Sequence, residues 1–304
     1  MLGPVFLQRE LRRCHYFVPF SWITRADMAR SIKLTRSIAY ATHSRHRLDV
    51  CRPSDAHAAT VVVFFYGGAW RSGNKELYRY AAKALARRGY VAVVPDYRIY
   101  PEARYPDFLE DGALAVRWVK DNIASFGGDP GKLFLMGHSA GAHIAAMLSM
   151  DARWLSGVGL NPGRDIAGLI GLAGPYDYLP LRDETLKVIF GGADRPDTQP
   201  IFHVSSGAPP TLLLTGGRDR LVEPGNSARF AAQLVAAGNS ATLKTYRRLG
   251  HYLIIAALAP ALRHLVPVLR QVEAFIVTTL RASAVRSLQQ VSQAPVVSIE
   301  IAGD

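Results

Sequence analysis

The residues whose types and spacing could do chemistry centre on Gly137-His138-Ser139-Ala140-Gly141. A Gly-x-Ser-x-Gly run is by itself a weak signal in a chain with 26 glycines. Its setting strengthens it. The apolar Leu133-Phe134-Leu135-Met136 precedes it and an Ala-rich stretch, residues 142–150, follows. The first reads as a buried strand and the second as a helix. A strand that turns at once into a helix puts Ser139 on a tight, strained bend, with glycines where a Cβ would clash. The bend lifts the hydroxyl clear of the sheet and sets the next backbone N–H beside it. That is the geometry a serine nucleophile needs.

A serine hydroxyl is a poor nucleophile at neutral pH. It needs a base, and the base needs an acid to orient it. Behind an elbow of this kind the chain order is serine, acid, histidine. Asp219 follows Leu213-Leu214-Thr215-Gly216-Gly217-Arg218, just past a buried strand. Asp177, after Gly174-Pro175-Tyr176, is the rival. Asp219 is preferred because its strand is cleaner and lies closer before the histidine's strand, although a turn aspartate after Gly-Gly is common. His251, in Arg248-Leu249-Gly250-His251-Tyr252, stands just past the last predicted strand. His203 falls in a polar loop and His264 on a helix. His138 reads as a packing residue of the elbow, and His143 as part of the helix after it.

Attack on a carbonyl creates an oxyanion, which needs N–H donors aimed at it. Ala140 should supply one. Gly68 and Ala69, in Tyr66-Gly67-Gly68-Ala69-Trp70 after the β-branched run 60–65, should supply others, because small residues let the backbone approach a substrate. Tyr66 and Trp70, at the ends of that loop, are candidate substrate-binding residues; for Tyr66, plain packing is an equal reading. No His/Cys/Asp cluster has metal-ligand spacing, so no metal or cofactor is implied.

The elements that must position these residues alternate. Strands are predicted over 60–65, 90–95, 132–137, 166–173, 211–215 and 241–246, with two short strands over 37–42 and 46–51. Helices are predicted over 75–88, from Pro106 to near Phe126, and over 226–237. A closing helix is predicted over 260–280, kinked at Pro267. Alternation of this kind means an α/β fold, a mostly parallel central sheet flanked by helices. Residues 151–165 and 178–207 are expected as insertions over the carboxyl edge, where ligands bind in open sheets. Residues 1–36 are expected to form one or two helices outside the sheet, either a small cap or simple packing. Residues 37–283 would be the catalytic domain and 284–304 a loosely held tail.

Composition narrows the classes. An apolar content of 49% in 304 residues suits one large domain with a sizeable core. Net charge is +12, but the arginines are scattered, which argues against nucleic-acid binding. Cys14 and Cys51 make no disulfide framework, so a cytoplasmic, reduced protein is expected. Residues 1–20 lack a long apolar run, and residues 252–262 are too short to span a bilayer, so neither a signal peptide nor membrane insertion is expected. A small ester would be the partner; a homodimer is left open.

Several segments together are similar to α/β-hydrolase carboxylesterases. They are Phe64 to Trp70, Val94-Pro95-Asp96-Tyr97-Arg98, Tyr105-Pro106, Phe126-Gly127-Gly128-Asp129-Pro130, Gly137 to Ala142, Gly216 to Asp219 and Gly250-His251. The resemblance covers about residues 37–280. It is nearest to feruloyl-esterase-like enzymes, arylformamidases and hormone-sensitive-lipase-like esterases. The last group carries a histidine where this chain has Tyr66. The resemblance implies an α/β-hydrolase fold and a serine esterase with Ser139, Asp219 and His251 as its triad. An arylformamidase with the same machinery and a catalytically silent binding protein are the alternatives.

Overall fold

The computed structural model describes residues 30–262 and 266–292. Among them, eight strands form one sheet: β1 (Ile32–Ala39), β2 (Arg47–Pro53), β3 (Ala59–Phe65), β4 (Val91–Pro95), β5 (Gly128–His138), β6 (Gly168–Leu172), β7 (Thr211–Gly216) and β8 (Ala241–Tyr246). Their order across the sheet is β1-β2-β4-β3-β5-β6-β7-β8. The β1–β2 and β2–β4 pairs are antiparallel and the rest are parallel. The inner strands β4, β6 and β7 are buried along their whole length, as strands covered on both faces must be. The edge strand β8 has only half-buried and exposed positions.

Between the parallel strands run α1 (Arg79–Arg87), α2 (Asp107–Asn122), α3 (Ala140–Met150), α4 (Ala152–Ser156), α5 (Pro162–Asp165), α6 (Glu184–Phe190) and α7 (Gly225–Ala236). After β8 come α8 (His251–Ala256) and α9 (Val268–Ser292). Right-handed crossovers put α1 on one face and α2, α3 and α7 on the other, because the chain moves in opposite directions across the sheet from β3 and from β5. The α9 helix joins α1, with Arg88 paired to Glu273 at 3.6 Å. Every residue of α3 is buried. The strand order reverses between β3 and β5, so the loops leaving their carboxyl ends face one another across a crevice.

Several boundaries differ from expectation. Strand β1 begins at Ile32, inside the segment set apart as 1–36, because it pairs with β2 as far as Ile32 opposite Pro53. Its register breaks at Ser37 (φ +53), whose N–H donates to buried Asp49 (2.9 Å). The helix expected from Lys75 opens with a 3-10 turn, Lys75–Tyr78, before α1. Pro267 does not kink the closing helix but directly precedes it, and α9 continues to Ser292 through the stretch expected as tail. Residues 151–165 join the end of α3 to the start of β6, which in a parallel crossover is the amino edge, so they are no insertion over the site. Lys120, near the end of α2, ties them down by pairing with Asp165 (3.1 Å). The proposed cap in residues 1–29 and the tail 293–304 lie outside the described residues. Among the described residues, no helix is long and apolar enough to cross a membrane.

Candidate active site

Ser139 caps α3 with φ +55 and ψ −123, a conformation that costs a non-glycine residue about 1–3 kcal/mol. The neighbouring glycines are sterically required. A Cβ on Gly137 would run into the Gly141 carbonyl, and one on Gly141 into the Phe65 carbonyl. Ser139 itself remains partly exposed.

Its hydroxyl donates to His251 Nε2 at 2.8 Å. His251 heads α8, and its Nδ1–H donates to Asp219 Oδ2 at 2.7 Å. The network itself sets this tautomer, since Nε2 must accept from the hydroxyl. The other carboxylate oxygen of Asp219 accepts from the N–H groups of Leu221 and Val222, both at 2.9 Å. The Asp219 side chain is fully buried. These contacts fix the carboxylate's orientation and aim its other oxygen at the imidazole. Asp177, the rival, is taken up by Arg229 instead. His203 donates to the Asp197 carbonyl (2.8 Å), and His264 lies outside the described residues.

The loop after β3 lies against the elbow: a Cβ on Gly67 would sit 3.0 Å from the Ser139 Cβ. The Gly68 carbonyl accepts from the N–H groups of Arg71 (3.1 Å) and Ser72 (3.0 Å) and from the Ser72 hydroxyl (3.0 Å). This closes the turn on its carbonyl. Ala69 (φ +51) and Trp70 (φ +55) are both left-handed. Among the described residues, the N–H groups of Gly68, Ala69 and Ala140 donate to no turn or loop carbonyl.

Tyr66 and Trp70, the expected substrate contacts, are both packed into the protein. Tyr66 is fully buried, stacked on Tyr97 at 4.6 Å, and its hydroxyl accepts from Arg45 (3.0 Å). Burial pushes that phenol far above its ordinary range. Trp70 is 4% exposed and packs edge-on against His143 (5.0 Å) and Phe190 (4.8 Å). Its ring fills space beside the crevice because α6 brings Phe190 down onto it.

Two residues were missed. Arg45, in the β1–β2 turn, bonds the Tyr66 hydroxyl, the Gly73 carbonyl (3.1 Å) and the Tyr97 carbonyl (2.8 Å). It therefore braces both ends of the Gly67–Trp70 loop, and nothing local in the sequence signals it. His138, read as packing, donates from Nε2 to the His251 carbonyl (3.1 Å), with the two rings 4.9 Å apart. Burial, and then the neighbouring His251, push its pKa well below the usual imidazole range, so it stays neutral. Its Nδ1 faces Gly67. One ring thus touches both His251 and the Gly67–Trp70 loop, and Ser139 is the next residue in the chain.

Among the described residues, no group of three or more His, Cys, Asp or Glu side chains could hold a metal ion. The chain is 32% identical over 238 residues to the isoprenylcysteine alpha-carbonyl methylesterase of Arabidopsis thaliana, covering 71% of this chain and 56% of that protein. It is 29% identical over 225 residues to esterase LipC of Mycobacterium tuberculosis, covering 67% and 56%. The chain thus spans about half the length of the curated relatives it matches. Among solved structures it resembles Thermogutta terrifontis esterase 2 phosphoramylated by tabun, with 25% identity and a TM-score of 0.67 over 82% of this chain and 94% of that one. The fold is that of an α/β-hydrolase. The BD-FAE family profile matches residues 48–234, a span that holds the Gly67–Trp70 loop, the elbow and Asp219, and on that extent the chain belongs to the BD-FAE family.

Proposed function

We propose that the chain is a serine hydrolase that cleaves small carboxylic esters through an acyl-enzyme. The observation that carries this is the unbroken hydrogen-bond line from Ser139 through His251 to Asp219. Ser139 Oγ attacks the acyl carbon while His251 Nε2 takes its proton. Asp219 holds the tautomer and stabilises the imidazolium. The N–H groups of Gly68, Ala69 and Ala140 receive the oxyanion. His251 returns the proton to the leaving alcohol, and a water that it activates then releases the acid. The esterase names of the relatives and the tabun adduct of the structural neighbour support the same chemistry. Two cysteines in 304 residues make no disulfide framework, which supports a reducing, cytoplasmic setting. The partner is a small ester.

The test is labelling with a fluorophosphonate, followed by turnover of short p-nitrophenyl esters, a feruloyl ester and N-formylkynurenine. Labelling lost in Ser139→Ala together with ester turnover supports the reading. A preference for the formamide would make the enzyme an arylformamidase, and no labelling would make it a silent binding fold.

A further inference from the structure

Four aromatic rings run in succession past the base. Tyr78, at the end of the 3-10 turn before α1, lies 6.3 Å from His138, ring to ring. His138 lies 4.9 Å from His251, and His251 meets Tyr252 edge-on at 5.3 Å. The two inner rings are buried, whereas the tyrosines at the ends are only half-buried.

The two ends come back together at the site. The Gly67 backbone lies against Ser139, since a Cβ there would sit 3.0 Å from the Ser139 Cβ. That same backbone acts on the Tyr78 phenol. Burial pushes this phenol up to about 12, with the Gly67 backbone opposing the rise and the Tyr252 phenol adding to it. Burial also raises Tyr252, and the Asp219 charge adds to that. Tyr78 therefore stands beside the loop that receives the oxyanion, Tyr252 stands beside the base, and each phenol feels the other.

The chemistry gives this rim a direction. In the tetrahedral adduct the oxyanion points to the N–H groups of the loop and of Ala140. The leaving oxygen must lie within hydrogen-bond reach of His251 Nε2 to take its proton. The alcohol therefore departs past the imidazole, whose half-buried ring neighbour is Tyr252. The other aromatic group near the loop, Trp70 with His143 and Phe190, is at most 4% exposed and offers a ligand no comparable surface. An aromatic ring meeting tyrosine gains more than its buried area alone supplies.

We propose that Tyr78 and Tyr252 wall the place of the leaving alcohol and select esters whose alcohol carries an aromatic ring. This rests on the esterase reading above.

The experiment compares benzyl, cyclohexylmethyl and ethyl acetate, which all form the same acetyl-enzyme. The proteins are the wild type, Tyr252→Leu, Tyr252→Phe and Tyr78→Leu, each checked for folding by circular dichroism. The wild type should prefer the benzyl ester. In each leucine variant the benzyl-to-ethyl ratio of kcat/KM should fall about 5-fold or more, and Tyr252→Phe, which keeps the ring, should hold it within about 2-fold. Hydrolysis of the acetyl-enzyme, where no alcohol is present, should slow less than acylation by benzyl acetate. The Tyr252 pair decides alone if Tyr78→Leu does not fold. Equal losses on all esters and in acetyl-enzyme hydrolysis would mean that Tyr252 only props His251, and would overturn the proposal. So would an unchanged ratio, or a loss on the cyclohexylmethyl ester as large as on the benzyl ester. No turnover of any ester by the wild type would fell the esterase reading itself, whereas turnover without selection among alcohols fells this inference alone.

Discussion

At the scale of single residues, charge and hydrogen bonding decide function. Replacing Ser139 by Ala should abolish ester turnover while thermal unfolding stays near that of the wild type, since the partly exposed hydroxyl packs against little. Normal turnover in the purified variant would reject Ser139 as nucleophile. Asp219→Asn keeps the size but offers an amide N–H to the His251 ring, favouring the wrong tautomer. Loss on the order of 100-fold to 10⁴-fold in kcat is expected, against little for Asp177→Asn, whose carboxylate serves Arg229. Side-by-side assay on one p-nitrophenyl ester checks this. His138→Phe keeps a ring but removes the donor to the His251 carbonyl. Its kcat should fall on the order of 10-fold to 100-fold with KM little changed, as expected for a misplaced base. His138→Gln, which retains an N–H, should recover part of the loss.

At the scale of elements, the elbow and the loop after β3 work as one unit because neither leaves room for the other's side chains. Gly68 adopts φ +146, and a Cβ there would strike the Ser72 carbonyl. Gly68→Val should therefore move the donors away from the developing oxyanion. Acylation is expected to slow by on the order of 100-fold, as when an oxyanion-hole donor is removed. Pre-steady-state release of p-nitrophenol measures that step directly, and an unchanged burst rate would take Gly68 out of the role. Arg45 braces this loop from the β1–β2 turn, so the antiparallel edge of the sheet contributes to a site built on its parallel centre.

At the scale of the whole molecule, two buried histidines link folding to pH. Burial lowers His143 from 6.5 to about 4, the Thr198 carbonyl only partly opposing it, and holds His138 well below its usual range. Both pKa values are depressed in the folded chain, so between 6.5 and 4 the unfolded chain binds more protons. The stability from keeping these rings neutral is complete above about 6.5 and is lost as pH falls towards 4. Melting temperature should drop over that interval, and His143→Phe should flatten part of the slope. Identical slopes for variant and wild type in scanning calorimetry would contradict the assignment.

What the sequence determined by itself is what short-range rules govern. Glycines at 137 and 141 mark a bend that no Cβ permits. Apolar runs at 61–65, 133–137 and 211–215 mark strands covered on both faces, and the order Ser139, Asp219, His251 follows from their places after strands. The ends of β1 and α9 were not legible, because no glycine or proline stops either element where a boundary was expected and pairing or packing carries each onward. The cleaner strand before Asp219 favoured it over Asp177, but local pattern left the rival open. Both follow strands, and only the packed structure gives one to His251 and the other to Arg229. Tertiary structure also turned Tyr66 inward onto Arg45 and drew His138 against His251, residues 113 positions apart. Contacts of that kind depend on how the loops converge at the reversal in strand order, and no local pattern of residues encodes that convergence.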